Sequence, residues 1–144
     1  MNRDTAAPCM TAYTTGMAYS ILAEIAQRLK LLAEHDESST IDLRSLPMSQ
    51  ADRDQLQEML GHGEVNARLE ISGTSDIRET AYPGVWWIRH MGAGGRIATE
   101  EIAVTRIPEI LLAHPHDVAT AAVQIRAVLD AGTTGEPALE ASHV

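Results

Sequence analysis

An α+β domain is predicted: an antiparallel meander of three to four strands, with two helices before it and one to two helices after it packed on one face. Three observations predict it. Sustained strand-like alternation occupies the middle of the chain, between Val65 and Val104. Helical periodicity flanks that stretch on both sides. The 144 residues suffice for one hydrophobic core. The expected organisation is a flexible tail over residues 1–15, a single domain over 16–132 and a second flexible tail over 133–144.

The first helix is expected from Gly16 to about Glu34. Met17, Ile21, Ile25 and Leu29 recur every fourth residue, Leu22 and Leu32 widen the stripe, and Thr14 or Thr15 is placed to cap the start. A polar break over His35–Ser39 follows. Ile41-Asp42-Leu43 reads as a short edge strand, stopped by Pro47. Ser49-Gln50-Ala51-Asp52 has the form of a capping box, and Leu56, Met59 and Leu60 make the apolar side of a second, shorter helix. Gly61 is placed to cap that helix and Gly63 to release the chain into the next element.

Val65, Ala67, Leu69 and Ile71 alternate with polar residues, the pattern of a half-buried strand. Ser72–Ser75 turns the chain, and Ile77–Thr80 returns antiparallel. Pro83 cannot donate to a ladder, so Tyr82-Pro83-Gly84 marks a bend. Val85 to about Met91 is the next strand. Gly92-Ala93-Gly94-Gly95 reads as a hairpin turn rather than a phosphate cradle, because strand-like residues follow it instead of a helix. Pro108-Glu109 has the form of a helix start. The last long helix opens at His114–Asp117, with Val118, Ala121, Ala122, Ile125, Val128 and Leu129 as its apolar face and Gly132 at its end.

With 11 basic and 20 acidic residues the net charge is −9, and Lys30 is the sole lysine. Such a surface repels phosphate backbones, which argues against a nucleic-acid partner and suits a basic protein segment. The single cysteine, Cys9, excludes an internal disulfide framework and any multi-cysteine metal site within one chain; it reads as an inert thiol. No apolar run approaches the roughly 20 residues that span a bilayer, so membrane insertion is not expected. No secretory leader is recognised, and a reducing cytoplasm fits this composition.

Chemistry-bearing residues are few. His114 and His116 have the spacing of a metal pair but lack a third clustered ligand. Glu100 and Glu101 are adjacent in a strand, point to opposite faces and cannot act as a pair. Glu79 and His90 flank the tryptophan segment and supply the one acid/base combination worth weighing, yet no nucleophile or cofactor motif accompanies them. No catalytic residue, cofactor or metal is assigned. Trp86 and Trp87 are both tryptophans of a chain that has no phenylalanine and only three tyrosines. Val85, Trp87 and Arg89 point to one side of their strand, and Trp86, Ile88 and His90 to the other. Two readings stand open: both rings lie in the core, or one anchors an interface with Arg89 beside it.

Four strings occur in order: Ile41-Asp42-Leu43-Arg44-Ser45-Leu46-Pro47, Leu60-Gly61-His62-Gly63-Glu64-Val65, Glu79-Thr80-Ala81-Tyr82-Pro83-Gly84-Val85-Trp86-Trp87, and Glu101–Leu111. Together they resemble the C-terminal conserved region of the HupH/HyaF family of hydrogenase expression and formation proteins. The resemblance covers about residues 40 to 112. It implies accessory work in [NiFe]-hydrogenase maturation: a cytoplasmic, non-enzymatic chaperone for the iron–sulfur small subunit before its twin-arginine export, or a partner of other maturation proteins. Familiar members are about twice this long, so either one module suffices or two copies pair as a homodimer. On this reading Glu79, Tyr82, Trp86, Trp87, Arg89 and His90 bind the partner, and Gly61, Gly63, Pro83 and Gly84 shape the adjoining turns. Two alternatives from other classes are a small hydrolase or transferase using Glu79 and His90, and a metal-handling protein using His114, His116 and Cys9.

Overall fold

The computed structural model describes residues 13–134. Strands β1 (Ser39–Asp42), β2 (Asn66–Glu70), β3 (Thr74–Glu79), β4 (Val85–Met91) and β5 (Ile97–Val104) form one antiparallel sheet in the order β1-β5-β4-β3-β2. The α+β class is as expected, with five strands where three to four were anticipated. The fifth is the Ile41 segment, which joins the meander at the β5 edge and sets Ile41 opposite Ile102.

Helices α1 (Met17–His35) and α2 (Gln50–Leu60) supply the cover for one face of this sheet. Ala18, Ile21, Ile25 and Leu32 of α1 and Leu56 and Leu60 of α2 are buried in a cluster with Val85, Trp87, Ile102 and Val104. That is the side expected for Val85 and Trp87 from strand parity. The α2 start is a full capping box: Ser49 Oγ accepts from the Asp52 amide at 3.0 Å, and Asp52 accepts from the Ser49 amide at 3.1 Å. The α1 start differs from expectation. Gly16 is its N-cap and has no side chain to offer, while Thr15 Oγ1 accepts weakly from the Met17 amide at 3.3 Å.

Residues 13–15 are tied to α2. The Thr15 amide and hydroxyl donate to the two Asp52 oxygens at 2.7 and 2.6 Å, and Ser49 Oγ donates to the Tyr13 carbonyl. Cys9 lies outside the described residues. On β2 the alternation holds only in part: Ala67 and Leu69 are half-buried, whereas Val65 and Ile71 just beyond the strand ends are exposed.

The chain divides into two compact units, one through Pro108 and one from Glu109 on. The second holds a single 3₁₀ turn (Glu109–Leu111) and helix α3 (Pro115–Thr134), which runs through Gly132 instead of ending there. Along α3, Val118, Ile125, Val128 and Leu129 are all exposed. Apolar residues at helical spacing, with alanine between them, mark a helix without reporting what lies against it, so the pattern predicted the element but not its burial. No helix among the described residues is long and apolar enough to cross a membrane.

Candidate functional site

The bend between β3 and β4 is fixed by Thr80, a buried residue whose hydroxyl donates to the Val85 carbonyl at 2.9 Å. The Thr80 amide donates to the same carbonyl at 3.0 Å, and the Val85 amide returns to the Tyr82 carbonyl at 3.0 Å. This closed loop of bonds presents Tyr82 and Pro83 outward, Tyr82 with half of its surface exposed. Gly84 sits at φ +95° with its carbonyl accepting from the Thr105 amide at 2.9 Å. A Cβ there would press on Leu29 and Leu32 of α1 at 3.3 Å.

The stretch after α2 lies along the same bend. The Ala81 amide donates to the Leu60 carbonyl at 2.8 Å, the Gly63 amide to the Glu79 carbonyl at 2.8 Å, and the Glu79 amide to the Val65 carbonyl at 2.9 Å. Gly63 is required by this closeness, because a Cβ would stand 2.4 Å from the Thr80 carbonyl oxygen. The Glu79 carboxylate turns back to accept from the Glu64 amide at 3.3 Å. The four strings singled out in the sequence therefore meet: 60–65 against 79–81, 41–42 paired with 101–102, and Thr105 bonded to Gly84.

At this end of the sheet, beside α1, is a recess of about 650 Å³. Its walls include Leu29, Leu32, Pro83 and Gly84, with Glu79, Asp36 and Arg106 as charged members. Arg106 and Asp36 form an exposed pair at 3.4 Å. Such exposed pairs contribute little to stability and open readily for a ligand.

Both tryptophans are buried, Trp86 at 5% and Trp87 at 2% exposure, without a second copy. Trp86 Nε1 donates to the Thr105 carbonyl at 3.1 Å and Trp87 Nε1 to Glu100 Oε2 at 2.8 Å. Of the six residues expected at a partner surface, Tyr82 is exposed, and Glu79, Arg89 and His90 are half-buried. Only Tyr82 and Glu79 adjoin the recess or its bend. Arg89 points to the Trp87 side, where its Nε and Nη2 donate to Glu100 Oε2 at 3.0 and 2.7 Å.

Glu79 and His90 are not brought together. In the β3–β4 register Glu79 faces Trp86 and His90 faces Ser75. Ser75 is four residues from Glu79 along β3, roughly 13 Å at the rise of an extended strand. His90 Nδ1 is instead hydrogen-bonded to Ser75 Oγ at 2.7 Å. His114 Nδ1 accepts from the His116 amide at 3.0 Å, a capping contact. Among the described residues no group of three or more His, Cys, Asp or Glu is arranged to hold a metal ion.

Sequence reasoning set Glu100 aside, and the structure makes it the hub of the Trp87 side. It is fully buried, and besides Trp87 and Arg89 it accepts from Arg53 Nη1 of α2. Strand parity carried the signal: Glu100 shares its side of β5 with Ile102 and Val104, both in the core.

The family model described as HupH hydrogenase expression protein, C-terminal conserved region, matches residues 16–132. The chain belongs to this family. The hydrogenase expression protein HupH from Thiobacillus denitrificans ATCC 25259 has a solved structure that is similar at a TM-score of 0.79 and 41% identity, over 82% of this chain and 98% of that one. The hydrogenase expression/formation protein HupQ of Azotobacter chroococcum mcd 1 is 31% identical over 113 residues, 77% of this chain. The hydrogenase-1 operon protein HyaF of Escherichia coli K12 is 33% identical over 89 residues. The chain spans 40% of the length of HupQ and 31% of that of HyaF.

Proposed function

We propose that this domain is a binding module of [NiFe]-hydrogenase maturation, and that it acts without catalysing a reaction. Its partner on this reading is the immature iron–sulfur small subunit, or another accessory protein, met in the cytoplasm before export. The observation that carries the proposal is the recess at the Tyr82-Pro83-Gly84 bend, which two of the family strings line through Glu79, Pro83, Gly84 and Arg106. An apolar floor from Leu29 and Leu32 with Glu79 and Asp36 at the margin suits an apolar segment carrying a basic residue. The net charge of −9 favours the same partner at long range. Glu79 and Tyr82 are the contacting residues in this proposal. Trp86, Trp87, Arg89 and His90 hold the strand that presents the bend. Because one copy buries both tryptophans, a homodimer is not needed to cover a ring.

The test is an affinity pull-down of the small-subunit precursor, with and without its leader, from cells that make it. Capture of the precursor alone places recognition at the leader; capture of both forms moves it to the cluster-bearing body. Tyr82→Ala combined with Glu79→Gln should weaken capture about tenfold while leaving the thermal midpoint within a few degrees. Failure of a well-folded bait to capture either form would sink the proposal.

A further inference from the structure

A second recess, of about 240 Å³, lies on the helix-covered face of the sheet where that cover runs out. The β1–β5–β4 part of this face is apolar and packs in the core cluster. Its continuation over β3 and β2 is polar, with Asp76 and Arg78 on β3 and Asn66 and Arg68 on β2. Gln57, Asn66, Asp76, Arg78, Trp87 and Arg89 line the recess.

Its charge runs against that of the whole chain. Arg78 and Arg89 face the space, Arg53 lies behind Glu100 and Arg68 beside Asp76 and Glu70, so four guanidinium groups stand against three carboxylates. Glu100 is already engaged: one oxygen takes Arg53, the other takes Arg89 and Trp87. Asp76 is shared with Arg68 at 3.8 Å. Among the described residues Arg78 has no carboxylate within ion-pair distance. Its guanidinium carbon lies 5.9 Å from the Trp87 ring centroid, and Nη1 donates to His62 Nδ1 at 2.9 Å. An arginine can only donate, so this histidine nitrogen accepts and the ring adds no negative charge. Burial and the nearby Arg89 disfavour the charged form of Arg78 by more than Asp76 and Glu100 favour it, so a further anion would be accommodated there.

We infer that this recess receives a carboxylate group, held by the guanidinium groups of Arg78 and Arg89, with the side-chain amides of Asn66 and Gln57 as further donors. Planar guanidinium forks match carboxylate geometry. The volume is below the roughly 300 Å³ at which drug-sized ligand pockets begin, which leaves room for a small acid or one chain end and not for a nucleotide. The carboxylate comes either from a free dicarboxylic acid or from the C-terminus of a polypeptide. This inference is independent of the partner recess and of what binds there.

The experiment follows the Trp87 indole N–H and the Asn66 and Gln57 side-chain amides by NMR while the intact chain is titrated at low salt. The probes are succinate, its neutral analogue succinamide, and triglycine with a free or amidated C-terminus. Succinate or free-acid triglycine should saturate with Kd at or below about 1 mM, and each neutral analogue should bind at least tenfold more weakly. Arg78→Gln should weaken binding at least tenfold. Asn66→Asp, on the exposed edge strand, should do the same by adding an anion without removing a cation. Arg44→Gln, remote from the recess, should change nothing. Tighter binding of the tripeptide acid identifies a polypeptide end as the source; equal or tighter binding of succinate identifies a free acid. The inference is overturned by no saturable response to either acid, by equal binding of the neutral analogues, or by retention of binding in both recess variants.

Discussion

Among the described residues two carboxylates are fully buried, and they are neutralised in opposite ways. Glu100, on β5 under Trp87, is met by the guanidinium groups of Arg53 and Arg89. Asp52, in the first turn of α2, is met by no cation among its hydrogen bonds. It accepts from the Thr15 amide and hydroxyl and from the Ser49 amide. A buried charge that lacks partners is strongly unfavourable, and either full ion pairing or several directed donors can offset it. The two solutions do different work. The ionic one joins α2 to the sheet and leaves cations at the edge of a recess. The neutral one fastens residues 13–15 to the start of α2 and carries no surplus charge.

Removing the ionic charge should have the larger effect. Glu100→Gln leaves two guanidinium groups facing a neutral amide, and we expect a loss of about 3 kcal/mol in urea denaturation. That is the low end for a broken buried pair, because the Arg53 and Arg89 side chains keep 18% and 31% of their exposure and can turn towards water. A loss under about 1 kcal/mol would mean that the ion pairs only offset their own desolvation, and the contrast with Asp52 would disappear.

Asp52→Ala should follow at about 2 kcal/mol, since it removes both the capping box and the two bonds from Thr15. Its distinguishing signature is local. Hydrogen exchange at the Thr15 amide should rise to the rate of an unprotected chain, while amides of β4 and β5 should speed up only in proportion to the loss of global stability. Unchanged protection at Thr15 would show that the fastening of residues 13–15 does not depend on the carboxylate. Trp87→Phe is smaller again. It keeps a ring in the core and deletes one of the donors to Glu100, and about 1 kcal/mol is expected. A loss near that of Glu100→Gln would make the indole, not the arginines, the principal partner of the charge.

How far the sequence foretold these two sites differs for a physical reason. The capping box was legible because Ser49 and Asp52 are three residues apart and helix geometry does the rest. Burial of Glu100 was available from parity, since alternate residues of one strand share a face and Ile102 and Val104 are apolar. Arg53 falls on the same stripe of α2 as Leu56 and Leu60, so its direction was readable once the stripe was taken to face the sheet. The Thr15–Asp52 contact was not legible: 37 residues separate the partners, and no local pattern encodes a loop closure. The pairing of β1 with β5 was hidden in the same way, although β1 itself was read as an edge strand. The tryptophan pair was correctly placed on two faces, but the burial of both rings depends on packing that no strand pattern reports. Helix α3 is the converse case, where a clear periodicity predicted an element and said nothing of what would cover it.

The finest test of the comparison is acid. Burial alone would raise the Asp52 pKa, and the hydrogen bonds from Thr15 and Ser49 outweigh it, so the carboxyl is held below its ordinary value of 3.8. Between the folded and unfolded values the unfolded chain binds the extra proton. The stabilisation is therefore present in full above the unfolded value and is lost as pH falls through the folded one. The urea midpoint of the wild type should exceed that of Asp52→Asn by a constant amount from neutral pH down to about pH 5, and the gap should close below about pH 4. Thr15→Val, which deletes the hydroxyl donor and keeps the amide, should shrink the gap at neutral pH and bring the end of the closure to higher pH, with the onset still set by the unfolded value. A gap independent of pH would mean that Asp52 contributes through shape and capping alone, and that its charge, unlike that of Glu100, is incidental to the fold.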